Sequence, residues 1–286
     1  MSNERESSVA DEIRIPLIPQ RIYGVLGHPV AHSLSPALHN WAFAELGIPA
    51  AYLAFDKAPE ELPDFLAAVR ALPVAGLSVT IPHKVAVMEA LDGISGLARR
   101  VGAVNTLYWD GDRLLGENTD ISGFLEPLRE LGRIPGSALV LGAGGAARAV
   151  LAGLLDLGVA RVALANRSPD KARTLAEEFG VGLVAWDDRQ AADAELVVNT
   201  TPLGMSGERQ DLSPWADICL SPSQVAYDLV YNPQKTRFLA DAEGMGCRTI
   251  DGLAMFVAQA RAQFRLWTGR DFPALAARRL LRQLLA

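Results

Sequence analysis

The sequence predicts an α/β protein built from two α/β domains, the first mainly a parallel sheet. From Arg21 onward, short β-rich runs alternate with helical stretches, the pattern of parallel strands with helices on both faces. A Gly/Pro break at GRIPGS (132–137) interrupts this alternation, which then restarts. The chain has 286 residues, 50% hydrophobic and 21% charged, enough for two cores at ~150 residues per domain.

The elements follow in order. Residues 1–20 read as a flexible leader, since Pro16 and Pro19 discourage regular structure. RIYGVLG (21–27) is a strand. PALHNWAFAELG (36–47) is a helix, with Ser35 as N-cap, Pro36 in its first turn and Gly47 ending it. AYLAFD (51–56) is a strand and PEELPDFLAAVRAL (59–72) a helix. AGLSVTIP (75–82) is a strand stopped by proline, VNTLYW (104–109) another, and a helix follows near 121–131. After the break, SALVLG is a buried strand. AARAVLAGLLDLG (146–158) is a helix with Ala147, Val150, Leu151, Leu154 and Leu155 on one stripe. RVALAN (161–166), ELVVNT (195–200) and VAYDLVY (225–231) are strands, and helices run from Leu253 to Trp267 and from Pro273 to the end. The expected division is 21–125 for the first domain, completed by a helix at 268–286, and 126–267 for the second.

Composition excludes several classes. No uncharged apolar run reaches the ~18 residues of a membrane-spanning helix. The polar, acidic N-terminus has no signal-peptide pattern. Cys219 and Cys247 are far apart and lack metal-ligand spacing, which fits a reducing cytoplasm. The net charge, 27 − 33 = −6, argues against nucleic acid and anionic membranes as partners. His28, His32, His39 and His83 all lie in the first domain, but no ligand-type cysteine is near and their spacing matches no metal site. No metal is expected.

Two motifs carry chemistry. In GAGGAA, Gly142, Ala143, Gly144, Gly145 and Ala146 sit where a strand hands over to a helix. Glycine lets backbone approach a pyrophosphate, whose charge rests on the helix N-terminus, so the second domain reads as a Rossmann dinucleotide-binding domain. The plainer alternative is a tight strand–helix turn. The next strand ends in Asn166-Arg167-Ser168, with Lys171 beyond, where NAD sites carry a carboxylate for the ribose. Arginine instead grips a 2′-phosphate, so NADP is the expected cofactor.

The second motif centres on lysine. Of 27 basic residues only Lys57, Lys84, Lys171 and Lys235 are lysines, so arginine is this chain's general-purpose cation. Lys84 follows a strand in SVTIPHK, and Asp120 ends GENTD (116–120) at a helix start. Hydride delivered to a carbonyl leaves an alkoxide that needs a proton; lysine can supply one and arginine cannot. A surface cation and a helix N-cap are the plainer alternatives. Around these two lie Ser33, Ser35, Thr80, Asn105, Thr106, Asn118 and Thr119, suited to a small polyhydroxylated substrate or, individually, to ordinary turns and caps.

Taken together, these segments resemble the shikimate dehydrogenases from Arg21 to about Gln259. GHPVAHSLSP (27–36) with His39-Asn40 looks like that family's substrate loop. SVTIPHK, GAVNT (102–106), GENTD, GAGGAARA (142–149), NRS (166–168), NTTPLGM (199–205), DLVYNP (228–233) and DGLAMFVAQA (251–260) follow in the family's order. The resemblance implies an oxidoreductase that reduces 3-dehydroshikimate to shikimate with NADPH on the aromatic (chorismate) route. It implies a monomer or homodimer acting on small molecules.

Residue by residue, the resemblance makes Lys84 and Asp120 the catalytic pair, with Lys84 the proton donor. Ser33 and Ser35 would hold the substrate carboxylate, helped by Tyr231; Thr80, Asn105 and Gln259 would bind ring hydroxyls. The glycine loop would cradle pyrophosphate, and Asn166, Arg167 and Lys171 would read the 2′-phosphate. Thr200, Met205, Leu229, Gly252 and Met255 would line the nicotinamide side. Position 78 departs from the pattern, with Ser where many bacterial members have Asn, which implies a shorter-armed or water-mediated contact. A broader quinate/shikimate dehydrogenase using NAD and a non-catalytic dinucleotide sensor are the competing readings.

Overall fold

A computed structural model describes residues 18–215 and 220–285; most of the expected leader, and Cys219, lie outside the described residues. Two six-stranded sheets form two layers of one α/β architecture. In chain order the first contains β1 (Arg21–Gly27), α1 (Ser35–Glu45), β2 (Ala50–Asp56), α2 (Leu62–Ala71), β3 (Val74–Val79), β4 (Gly93–Ile94), α3 (Gly96–Val101), β5 (Thr106–Asp110) and β6 (Arg113–Glu117). A connecting helix, α4 (Asp120–Arg129), leads to β7 (Ser137–Leu141), α5 (Gly145–Asp156), β8 (Arg161–Ala165), α6 (Pro169–Phe179), β9 (Gly182–Leu183), β10 (Leu196–Asn199), β11 (Val225–Asp228), α7 (Arg237–Gly244) and β12 (Arg248–Ile250). Two helices finish the chain, α8 (Gly252–Thr268) and α9 (Ala274–Leu285).

The second sheet runs β12-β11-β10-β7-β8-β9, all parallel. This is the doubly wound order, and its direction reverses between β7 and β10, where such sheets bind ligands. The first sheet runs β2-β1-β3-β5-β6-β4. β1 pairs in parallel with both β2 and β3, so a second reversal lies between β1 and β3. β5 pairs antiparallel with β3 and β6, a turn in the sheet that strand–helix alternation does not announce. The hairpin cue is Gly111-Asp112, the two residues between β5 and β6, with Gly111 at φ 61°.

Two local expectations are corrected. The strand expected over 75–82 ends at Val79, because Thr80 and its successors turn away under Pro82. Ser35 is not an N-cap but the first residue of α1; the cap position is Leu34, and the Ser35 amide donates to the Ser33 hydroxyl at 3.2 Å. α8 is capped by a side chain, with the Asp251 carboxylate accepting from the Ala254 amide at 2.9 Å.

Both faces of β1 are covered beyond the exposed Arg21, which is why its run from Ile22 carries no charge. On one face Tyr23, Phe43, Tyr52, Phe264, Trp267 and Phe272 form an aromatic cluster joined by Ala277 and Leu281 of α9. On the other, Leu26, Leu77 and Leu107 pack under α2. Each fully buried side chain of this size contributes about 1.5–3 kcal/mol. α8 runs through both layers: Leu253, Val257 and Phe264 enter the aromatic cluster, while Ala254 and Met255 enter the cluster of α4, α5 and β7.

Two buried titratable groups sit in these cores. His39 is stacked on Tyr52, with ring centroids 4.5 Å apart, and neither ring nitrogen has a hydrogen-bond partner among the described residues. Burial pushes its pKa down to about 3, a fall only partly offset by the neighbouring Gln263 amide. Asp228, at the end of β11, accepts from Asn199 at 2.8 Å, the Val230 amide at 3.0 Å and Thr236 at 2.6 Å. Burial nevertheless pushes it up to about 7.

The two groups tilt stability in opposite directions. Below its ordinary value of 6.5, His39 takes up a proton only in the unfolded chain, so stability falls as pH drops toward 3. Between its ordinary value of 3.8 and about 7, Asp228 keeps a proton only in the folded chain, so stability falls as pH rises. Asp228→Asn keeps acceptor and donor positions for the same partners but removes the second slope. Denaturant midpoints of this variant between pH 4.5 and 6.5 are expected to fall on acidification more steeply than those of the parent, by up to ~1.4 kcal/mol per pH unit. Parallel curves would sink the assignment.

Candidate active site

A cavity of about 550 Å³ opens at the carboxyl ends of β1 and β3, beside the loop from Thr80 to Lys84. Ser33, Ser35, Thr80, Lys84, Asn105, Asp120, Tyr231 and Gln259 all line it. Its far wall comes from the second sheet and α8, through Ala146, Met205, Leu229, Gly252 and Met255. Gly252 is required there: a β-carbon would lie 2.5 Å from the carbonyl oxygens of Leu229 and Val230.

Lys84 and Asp120 come together although 36 positions apart. The Lys84 ammonium donates to Asp120 Oδ2 at 2.5 Å, and the side chains are 21% and 11% exposed. The Val104 amide donates to the Lys84 carbonyl at 2.8 Å, which docks the lysine segment on the strand leading to β5. Asn105 Nδ2 donates to Asp120 Oδ1 at 2.7 Å. Both carboxylate oxygens therefore have donors, and the ammonium keeps capacity for a third group.

Three of the hydroxyl and amide residues singled out for a polyol face inward and do not line the cavity. Thr119 donates its amide to Asn105 Oδ1 at 2.7 Å, Thr106 donates its hydroxyl to the same oxygen at 2.7 Å, and Asn118 donates to the Ala103 carbonyl at 2.9 Å. They anchor Asn105 and Asp120. Among the histidines, His28 pairs with Asp56 at 2.6 Å, His83 bonds the Lys57 carbonyl at 2.7 Å and His39 lies in the core.

A second cavity, of about 330 Å³, lies at the β7/β10 reversal and is lined by Gly142, Ala143, Gly144, Asn166, Arg167, Lys171 and Thr200. Gly142 has φ 112°, open to glycine, and a β-carbon there would lie 2.6 Å from Thr200 Oγ1. Nothing lies within 4 Å of where a β-carbon on Gly144 or Gly145 would project. Gly145 itself lines neither cavity and begins α5. α5 has no side-chain cap and no acid in its first turn, so its positive end is open to an anion. Arg167 and Lys171 have no ion-pair or hydrogen-bond partner among the described residues. This donor set fits a dinucleotide with an extra phosphate, and the loop runs from the second cavity into the first between Gly144 and Ala146.

Residues 25–107 match the shikimate dehydrogenase substrate binding domain and 252–282 the shikimate 5'-dehydrogenase C-terminal domain; 138–208 match an NADP oxidoreductase, coenzyme F420-dependent, domain. A shikimate dehydrogenase (NADP(+)) of Oleidesulfovibrio alaskensis is 55% identical over 274 residues, covering 95% of this chain and 98% of that one. The chain belongs to the shikimate dehydrogenase family. The Thermus thermophilus family structure, in complex with NADP(H) and shikimate, superposes with TM-score 0.85 at 43% identity, over 93% of this chain and 100% of that one. A quinate dehydrogenase from Corynebacterium glutamicum in complex with NAD has the same TM-score, 0.85, at 31% identity, over 92% and 99%.

Within this family member, sequence reasoning missed several cavity residues. Gln263 lies one helical turn beyond Gln259 on α8, and that spacing was the available signal. Phe256 packs on Tyr231 with ring centroids 4.9 Å apart, and burial raises the Tyr231 phenol pKa. Trp186 joins the second cavity from the turn after β9, with no motif to mark it.

The two kinds of glycine separate experimentally. Gly252→Ala is expected to destabilise the shikimate dehydrogenase fold by about 1–3 kcal/mol through overpacking. Gly144→Ala, in extended backbone with open space ahead, is expected to leave stability unchanged while a methyl fills the anion cradle and weakens NADP binding by at least ~10-fold. Denaturant unfolding and NADP titration check the pair; equal NADP affinity in Gly144→Ala and the parent would remove the cradle.

Proposed function

We propose that the protein catalyses the reversible NADPH-dependent reduction of 3-dehydroshikimate to shikimate, with Lys84 as proton donor and Asp120 orienting it. The observation that carries this is the Lys84–Asp120 pair at 2.5 Å on the floor of a cavity whose opposite wall belongs to the nucleotide-binding sheet. NADPH supplies hydride to the carbonyl carbon, and the oxygen on that carbon then needs a proton. Lys84 can deliver it, because an ammonium gives up a proton where a guanidinium cannot. Asp120 holds the ammonium in one direction, and Asn105 holds Asp120. Low exposure of the pair strengthens the contact by excluding water.

Ser33, Ser35 and Tyr231 are assigned to the substrate carboxylate, Thr80, Asn105 and Gln259 to ring hydroxyls. Gly142, Ala143, Gly144, Gly145 and Ala146 are assigned to pyrophosphate, Asn166, Arg167 and Lys171 to the 2′-phosphate. Thr200, Met205, Leu229, Gly252 and Met255 are assigned to the nicotinamide side. Residues 21–125 with 268–286 are read as the substrate-binding unit, 126–267 as the NADP-binding one. A monomer or homodimer in the cytoplasm is the proposed working form; the buried free thiol of Cys247 fits a reducing compartment. No described helix is long and apolar enough to cross a membrane.

Following NADPH absorbance with shikimate and NADP, then with quinate and NAD, tests substrate and cofactor together; the first pair is expected to be preferred. Lys84→Ala is expected to lower turnover by ~100- to 10,000-fold while shikimate and NADP binding stay within a few-fold. Unchanged turnover would refute the role of Lys84. Arg167→Ala is expected to cut the preference for NADP over NAD by ~10- to 100-fold, the worth of one charge-assisted contact. A preference left intact by that change would move 2′-phosphate recognition elsewhere.

A further inference from the structure

Behind the substrate-side wall of the cavity runs a chain of hydrogen bonds whose protons can point only one way. Gln263 Nε2 faces the Asn105 carbonyl at 3.1 Å, and a carbonyl only accepts, so the amide orientation is set. Its second N–H donates to Thr106 Oγ1 at 3.0 Å, and Gln263 Oε1 faces Ser78 Oγ at 2.8 Å. An amide oxygen only accepts, so the Ser78 proton is committed to Gln263. The Tyr52 hydroxyl, 2.6 Å from Ser78 Oγ, must then be the donor. Burial raises the Tyr52 phenol above its ordinary value, so it remains a donor. From Thr106 the order continues through Asn105 to Asp120.

Ser78 lines the cavity with its proton committed, one lone pair taken by Tyr52 and one lone pair free. We infer that Gln263, through the proton order it imposes on Ser78, makes this stretch of wall acceptor-only, so that it selects a substrate hydroxyl as donor and rejects a carbonyl or carboxylate oxygen. The charged donor of the cavity is the Lys84 ammonium. A ring carrying one carbonyl and several hydroxyls is thereby admitted with its carbonyl toward Lys84 and a hydroxyl toward Ser78. Gln263 is a positioning residue in this scheme, and Tyr52 supports it. The inference rests on the proposed function and adds the rule by which the ring is oriented.

The test uses shikimate analogues in which each non-reacting ring hydroxyl is replaced in turn by hydrogen or fluorine, assayed by kcat/KM. Fluorine accepts weakly and cannot donate. In the parent enzyme, one ring position is expected to prefer hydroxyl over both replacements by ~10-fold, with fluorine no better than hydrogen. Gln263→Met frees the Ser78 proton, and fluorine should then beat hydrogen at that position, an inversion that general loss of packing would not produce. Should Gln263→Met fail to fold, Ser78→Ala is the second variant: the hydroxyl preference should collapse at that position alone. The inference is overturned if fluorine and hydroxyl are equivalent at every position, if Gln263→Met leaves the fluorine-to-hydrogen order unchanged, or if the preference survives Ser78→Ala. Failure of the parent to oxidise shikimate with NADP would instead strike the proposed function.

Discussion

A carboxylate that must find a donor for each of its oxygens organises the substrate side of this protein. Asp120 takes one from Lys84 and one from Asn105, residues that arrive from the loop after β3 and from the segment just before β5. Leaving either oxygen bare in a site this shielded would cost on the order of 1–3 kcal/mol. The surrounding segments are arranged to prevent it. Thr106, Thr119 and Asn118 spend their polar groups on Asn105 and neighbouring backbone, leaving the cavity surface to others. The contact is a structural clamp, and in the proposed reaction it also directs the proton of Lys84.

α8 is the second organising element. Its N-terminal turn, fitted by Gly252 against the Leu229 and Val230 carbonyls, belongs to the nucleotide-side wall. Two and three turns on, Gln259 and Gln263 belong to the substrate side, and at its end Trp267 donates to the Leu107 carbonyl at 2.9 Å, tying the helix to β5. One rigid helix thus spaces the two halves of the cleft. Arg148 of α5 adds a second tie by donating to the Val101 carbonyl of α3 at 2.5 Å. Positioning that depends on packed secondary structure is tighter than positioning on loops alone.

Legibility in the sequence followed the nature of each signal. Lys84 stood out because lysine is scarce here and its chemistry differs from arginine's. The glycine loop stood out because strand, turn and helix flank it. Gln263 did not, since a polar residue on a helix reads as surface until the buried face is known; it is 1% exposed. Thr106, Asn118 and Thr119 were legible as polar groups, but not as groups turned away from the cavity: alternation along β5 does not say whether the face carrying Thr106 is wet, and the turn holding Asn118 and Thr119 carries no periodicity at all. The β5–β6 hairpin is marked by Gly111-Asp112, a two-residue signal that the surrounding strand–helix alternation outweighs.

By itself, the chain's order of residues determined the α/β class, the nucleotide loop, an arginine where NAD sites carry a carboxylate, and the identity of the lysine and its candidate carboxylate partner. These are local properties: periodicity, turn chemistry and side-chain pKa travel with the residues. Tertiary structure alone decided that Lys84 and Asp120 meet, that the segment entering the antiparallel β5 brings Asn105 beside them, and which amide and hydroxyl protons point where. Those outcomes depend on strand pairing and helix packing between distant segments, and hydrogen-bond direction exists only once both partners are in place.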